Sequence, residues 1–171
     1  MRTFVVSTAT IGLVLAGSFL AWGQGKQKSF RATLQGFQEV PAVSSTGGGQ
    51  IRLTADQSDT SLSYELSYAN LEGTITTAAH VHLGQTGVNG GVSFFMCGGG
   101  GKPPCPATSG TVTGIVIAAD VIGPVSQGIA SGEFAELLRA MRSGVTYANV
   151  NTNAHPGGEI RGQISDNASE R

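Results

Sequence analysis

The chain has 171 residues, a net charge of −1 and charged side chains at 12% of its positions. No run of Lys or Arg occurs, so the sequence lacks the basic patch with which nucleic-acid-binding proteins neutralise phosphates, and it lacks a polybasic membrane tether. The 26 glycines and the sparse charge favour short strands joined by tight turns over a helical bundle.

The N-terminal segment predicts export. Arg2 precedes an almost wholly apolar stretch over residues 11–20, and small residues follow at the positions that a signal peptidase reads. We therefore predict a signal peptide over residues 1–23 and a single mature β domain over residues 24–171, secreted or periplasmic and without membrane contact after cleavage. The alternative is an uncleaved anchor, because residues 4–22 approach the roughly 17–25 residues of a spanning helix.

The mature chain is dominated by alternation of apolar and polar residues, which is the period of a half-buried strand. A cluster of turn-forming residues at 56–59 separates the second and third alternating segments and predicts a hairpin. Eight short strands with one apolar face each indicate an all-β fold, either an antiparallel β-sandwich or a Greek-key barrel. The predicted strands cover 30–35, 50–55, 62–68, 74–83, 91–96, 110–118, 145–151 and 158–164.

One segment has helical periodicity instead. Its apolar residues recur at i, i+3, i+4 and i+7: Phe134, Leu137, Leu138 and Met141. This pattern predicts one short amphipathic helix near 132–143, capped by Ser131 and ended by Gly144, that seals one end of the β structure.

The two cysteines, Cys97 and Cys105, are separated by a Gly- and Pro-rich stretch. In an exported protein an even pair predicts a disulfide, which here would stiffen one connection. A redox or metal pair is the alternative, although redox motifs favour Cys-x-x-Cys and metal clusters need more ligands nearby.

Two of the three histidines lie in Ala-His-Val-His at residues 79–82. Residues i and i+2 of a strand share a face, so His80 and His82 should project side by side while Val81 faces the core. Two imidazoles at this spacing can chelate Cu or Zn, and His155 could join them if its turn lies beside their strand. Alternatively, such a pair hydrogen-bonds across a sheet or faces solvent.

Glu159 and Arg161 fall on one face of the last predicted strand, where they could form an exposed ion pair. No complete catalytic apparatus is recognisable, so no residue is assigned as catalytic. The sequence contains no Gly-x-Ser-x-Gly nucleophile elbow, and no Gly-x-Gly-x-x-Gly opens a helix in a βαβ unit.

These residues, in their order, resemble the CHRD domain, the module named after chordin, over about residues 30–164. Residues 30–41 resemble its first motif, with the spacing Phe-x-Ala-x-Leu-x-Gly-x-Gln-Glu-Val-Pro. The Ala-His-Val-His segment, preceded by Leu-Glu-Gly at 71–73, resembles its central motif. The closing motif is matched by Tyr-Ala-Asn-Val at 147–150 and by Pro-Gly-Gly-Glu-Ile-Arg-Gly-Gln at 156–163.

The resemblance implies an extracellular binding or structural module with no established enzymatic activity, whose partner is an unknown extracellular protein or surface ligand. A Cu- or Zn-binding protein is the alternative function. The family commonly has His where this chain has Asn151, so a metal site using that His would be missing here or completed by His155. A looser similarity to copper-zinc superoxide dismutase, which also carries a His-Val-His strand, concerns architecture alone.

Overall fold

The computed structural model describes residues 28–166. The predicted signal peptide over 1–23 lies outside the described residues. Eight strands are present, and each lies within two residues of its predicted bounds. They are β1 (Ser29–Gln35), β2 (Gly48–Ala55), β3 (Ser61–Ala69), β4 (Thr76–Leu83), β5 (Val92–Cys97), β6 (Gly110–Ile117), β7 (Thr146–Thr152) and β8 (Ile160–Asp166).

All eight strands belong to one antiparallel sheet in the order β5-β4-β7-β8-β1-β2-β3-β6. The sheet curls into a nearly closed barrel, so the all-β prediction is confirmed and the barrel is the correct alternative. Its two edges, β5 and β6, are not paired with each other. The chain beyond β6 covers part of the β5 edge, since the amide of Ile122 donates to the carbonyl of Ser93 at 2.9 Å.

Alternation places the core inside this barrel. In β3, for example, Leu62 and Leu66 are fully buried, while Ser63 and Glu65 between them are exposed. Burial of each Leu stabilises the fold by about 1.5–3 kcal/mol relative to exposure. A one-residue shift in the register of this strand would expose both leucines and lose that stabilisation. Buried Tyr64 reaches across the interior and donates its hydroxyl hydrogen to the carbonyl of Met96 at 2.8 Å.

The predicted helix is α1 (Phe134–Arg142), and its four apolar residues join the barrel core. Gly144 follows it with φ of +67°, as expected of a residue that ends a helix. The predicted cap is wrong, because the Ser131 hydroxyl donates to the carbonyl of Val121 and Glu133 occupies the cap position. Within residues 28–166, no helix has the length and apolarity needed to cross a membrane.

Two local predictions are confirmed. Cys97 and Cys105 form a disulfide that ties the end of β5 to the loop leading towards β6. The β2–β3 hairpin is organised by Asp56, whose carboxylate accepts the backbone amides of Ser58, Thr60 and Ser61. Asp and Asn side chains favour turns because they can accept such local hydrogen bonds.

Candidate functional site

Polar side chains gather on the outer face of strands β4, β7 and β8. His80 lies opposite Asn149, and Asn149 lies opposite Arg161, while His82 lies opposite Tyr147. Directly opposed residues share a face, so these five side chains form one patch. Glu39, from the loop after β1, joins them. We call this set the polar cluster: Glu39, His80, His82, Tyr147, Asn149 and Arg161.

The two histidines project side by side, as the strand pattern predicted. Nε2 of His82 lies 2.9 Å from Nδ1 of His80, and Nδ1 of His82 lies 2.9 Å from the carbonyl oxygen of Gly90. His80 is only 8% exposed and its ring contacts the edge of Phe95. The pair therefore does not face open solvent, which was one of the alternatives for it.

Burial keeps both imidazoles neutral at pH 7. It lowers the pKa of His80 to about 4, with a further contribution from neighbouring His82. Burial also lowers the pKa of His82, partly opposed by the Gly90 carbonyl and reinforced by the positive charge of Arg161. A neutral imidazole carries one hydrogen and one lone pair, so both rings keep an acceptor nitrogen.

His82 is the outer layer of a three-layer stack. Its ring is parallel to that of Tyr147, with centroids 4.6 Å apart and an interplanar angle of 3°. The Arg161 guanidinium covers Tyr147, with its central carbon 3.5 Å from the ring centroid. The phenol oxygen of Tyr147 also accepts the backbone amide of Gly90 at 3.1 Å, which fixes the ring against the loop above it.

Arg161 is 2% exposed and fastens the loop over residues 84–91 onto the sheet. Its guanidinium donates to the carbonyls of Val88 at 2.8 Å and Gln85 at 3.3 Å, and to the side chain of Asn89 at 3.1 Å. A planar cation with five donors suits this task, since one side chain can hold several loop acceptors at once. The loop is therefore held in a defined conformation.

Glu39 extends the cluster to the loop over residues 36–47. One carboxylate oxygen accepts the Asn149 amide at 2.7 Å, and the residue is 7% exposed. Burial raises its pKa to about 7, although the charge of Arg161 and the Asn149 hydrogen bond act in the opposite direction. The two loops are joined directly, because the Asn89 amide donates to the carbonyl of Val40 at 2.9 Å.

Glu159 serves a separate network, and the predicted exposed ion pair with Arg161 is wrong. Both residues are buried, and the Glu159 carboxylate accepts hydrogen bonds from the Ser45 and Thr152 hydroxyls and the Glu72 amide, each at 2.7 Å. Burial alone would raise its pKa, but these hydrogen bonds outweigh burial and hold the pKa below its usual value. The alternation rule could not reveal the loops that cover this face.

His155 and Asn151 have other partners. Nε2 of His155 lies 3.5 Å from a carboxylate oxygen of Glu72, and the Asn151 amide donates to the carbonyl of Pro156 at 2.6 Å. Within residues 28–166, no three His, Cys, Asp or Glu side chains are grouped as metal ligands. Metal binding remains a prediction, and the observed contacts would give it His80 and His82 without His155.

Three loops meet beside the polar cluster and expose apolar side chains. The Gln127 side chain accepts the Gly91 amide at 2.7 Å and donates to the Leu83 carbonyl at 3.1 Å, which joins residues 121–128 to the 84–91 loop. We call the loops over 36–47, 84–91 and 121–128 the loop face. Its most exposed apolar residues are Phe37 at 70%, Val125 at 70%, Ile122 at 45% and Val88 at 43%.

The fold and the site define a class of protein: an antiparallel eight-stranded barrel whose outer polar cluster holds loops in place. A family model described as the CHRD domain matches residues 30–164, so the chain belongs to the CHRD domain family. No curated protein and no solved structure matches the chain.

The three motifs of the family resemblance supply every member of the polar cluster. The first motif contributes Glu39, the central motif contributes the histidine pair, and the closing motif contributes Tyr147, Asn149 and Arg161. Sequence reasoning singled out the histidines and Arg161 but gave the other three no role. Their shared position in the recognisable motifs was the available signal.

Proposed function

We propose that this chain is an exported binding module that uses the loop face to recognise an extracellular partner. The observation that carries the proposal is the exposure of Phe37 and Val125, each 70% exposed, on two loops that are both hydrogen-bonded to the 84–91 loop, which Arg161 of the polar cluster holds. Exposed apolar residues gathered on one surface of a monomer are typical of interaction sites, whereas scattered ones are not. Arg161 and its neighbours hold one of these loops ready for binding, which lowers the entropy lost on association.

The charge of the loop face points to an uncharged partner surface. The loops over 36–47, 84–91 and 121–128 contain one ionisable residue, Glu39, and it is buried. Association through this face would therefore depend on apolar contact and hydrogen bonds rather than on ion pairs. Such contact should persist at high salt, because a Debye length of about 3 Å at 1 M screens ionic attraction and leaves apolar contact intact.

The proposal can be tested by measuring retention of the exported protein on the surface of the producing cells after a wash in high salt. We expect the wild type to stay bound and Phe37→Ser/Val125→Ser to be released. The matched control is Ile115→Ser/Ile117→Ser, which alters apolar residues that are 59% and 49% exposed on β6. Release of the wild type by salt, or equal retention of the two double variants, would contradict the proposal.

A further inference from the structure

One hydrogen lies between the facing nitrogens of His80 and His82, and the hydrogen-bond partners determine which nitrogen carries it. The Gly90 oxygen can only accept, so Nδ1 of neutral His82 donates to it and Nε2 of His82 carries a lone pair. The 2.9 Å contact then requires Nδ1 of His80 to donate to Nε2 of His82. If the His80 hydrogen moves to its own Nε2, the ring stays neutral, and two nitrogens that each carry a lone pair lie 2.9 Å apart.

We propose that Nδ1 of His80 and Nε2 of His82 bind one Cu(II) ion in place of the proton that they share. Two nitrogen ligands at about 2.0–2.1 Å from an ion are about 2.9 Å apart at the 90° angle of tetragonal coordination, and about 3.3 Å apart at the tetrahedral angle. The observed separation of 2.9 Å matches the tetragonal geometry that Cu(II) prefers. No net proton is released, because the His80 hydrogen only changes nitrogen, and water completes the coordination.

The surroundings of His82 are organised as those of a metal ligand should be. A ligating imidazole commonly donates its other N–H to a carbonyl, which fixes the tautomer and the ring orientation, and the Gly90 carbonyl does this here. A side chain at residue 90 would put its Cβ 1.6 Å from the Leu83 carbonyl oxygen. Only glycine can therefore occupy this position and present its own carbonyl to His82. Stacking on Tyr147 holds the ring from a second side.

The test is titration of the metal-free exported chain with Cu(II) chloride in the presence of glycine as a competing ligand. Substitution of a residue that only hydrogen-bonds to a metal ligand commonly weakens metal affinity by about 10–100-fold. Loss of either histidine, which would be a ligand itself, should therefore weaken Cu(II) affinity by at least about tenfold. His80→Ala and His82→Ala should each show this loss, whereas His155→Ala should keep the wild-type affinity. His155 is the control because its ring contacts Glu72 instead.

Electron paramagnetic resonance of the folded wild type gives an independent readout if truncation of the nearly buried His80 unfolds the chain. The bound Cu(II) should show hyperfine coupling to two imidazole nitrogens. The spectrum of His82→Ala should lack the coupling to at least one of them. The proposal is overturned if the wild type does not bind Cu(II), if His80→Ala or His82→Ala binds it as tightly as the wild type, or if His155→Ala loses as much affinity as they do.

Discussion

At the scale of single residues, the cluster depends on how closely backbone and side chains approach. Gly158 has φ of +131°, and a Cβ there would lie 2.3 Å from the Asn149 amide nitrogen and 2.6 Å from a Glu39 carboxylate oxygen. Its neighbour Gly157 has open space around the same position. The two adjacent glycines of the closing motif therefore have different roles, and of this pair only Gly158 is required by the site.

We predict that Gly158→Ala lowers the free energy of unfolding by about 2–4 kcal/mol, because it strains the backbone and displaces the Glu39–Asn149 contact. Gly157→Ala should change it by less than about 0.5 kcal/mol, as is usual for open surface positions. Urea denaturation of both variants provides the measurement. Equal effects at the two positions would show that the close approach at Gly158 has no energetic weight.

The buried carboxyl of Glu39 should make the stability of the folded chain depend on pH. Its pKa is about 7 in the folded chain, above the usual value of 4.5, so folding favours the protonated form. Its contribution to stability is thus fully present below pH 4.5 and is lost as the pH rises through 7, by up to about 1.4 kcal/mol per pH unit. The lowered pKa of His80 acts in the opposite direction between pH 4 and 6.5.

Glu39→Gln isolates the first of these two contributions. The difference in unfolding free energy between the variant and the wild type should be constant below pH 4.5 and should shift in favour of the variant as the pH rises to 7.5. Denaturation of metal-free protein at several pH values provides the measurement, with exposed Glu65→Gln as the control. A difference that does not change with pH would contradict the raised pKa.

At the scale of elements, the strands and the helix follow from local patterns, but the positions of the loops do not. Alternation places Leu62 inside and Ser63 outside because each strand of this barrel has one face on the core. The same rule treats Arg161 as exposed, since alternation does not show that the 84–91 loop folds back over the outer face. Contacts of that loop with Arg161 span 72 to 76 residues, and no local periodicity encodes them.

The loop tether is testable through Arg161→Lys. Lysine keeps the positive charge but replaces the planar guanidinium, whose two terminal nitrogens reach separate loop acceptors while its plane covers Tyr147, with one ammonium nitrogen. We therefore expect a loss of about 2–4 kcal/mol in stability. Hydrogen exchange should accelerate at the Gly90 amide, which depends on Tyr147 beneath Arg161, and should stay slow in β2 and β3. Exposed Arg52→Lys is the matched control and should leave both readouts unchanged.

At the scale of the whole molecule, the sequence was sufficient for the all-β class, the disulfide and the side-by-side placement of His80 and His82, and it left sandwich and barrel open. Each of these depends on spacing along one segment: strand period, a short cysteine loop, and i, i+2 geometry. Glu39, Asn149 and Arg161 come together because of the strand order β4-β7-β8-β1, in which strands that are neighbours in space are distant in the chain. That order follows from global packing, which no single segment specifies.

We propose that the loop face is where this CHRD domain meets its partner. The most direct measurement places a photoreactive phenylalanine analogue at Phe37, at Val125 or at Ile115 in the full chain and irradiates the producing culture. Positions 37 and 125 should each give the same discrete cross-linked adduct, and position 115 on β6 should give none. An adduct from position 115 alone, or none from either loop position, would contradict the claim.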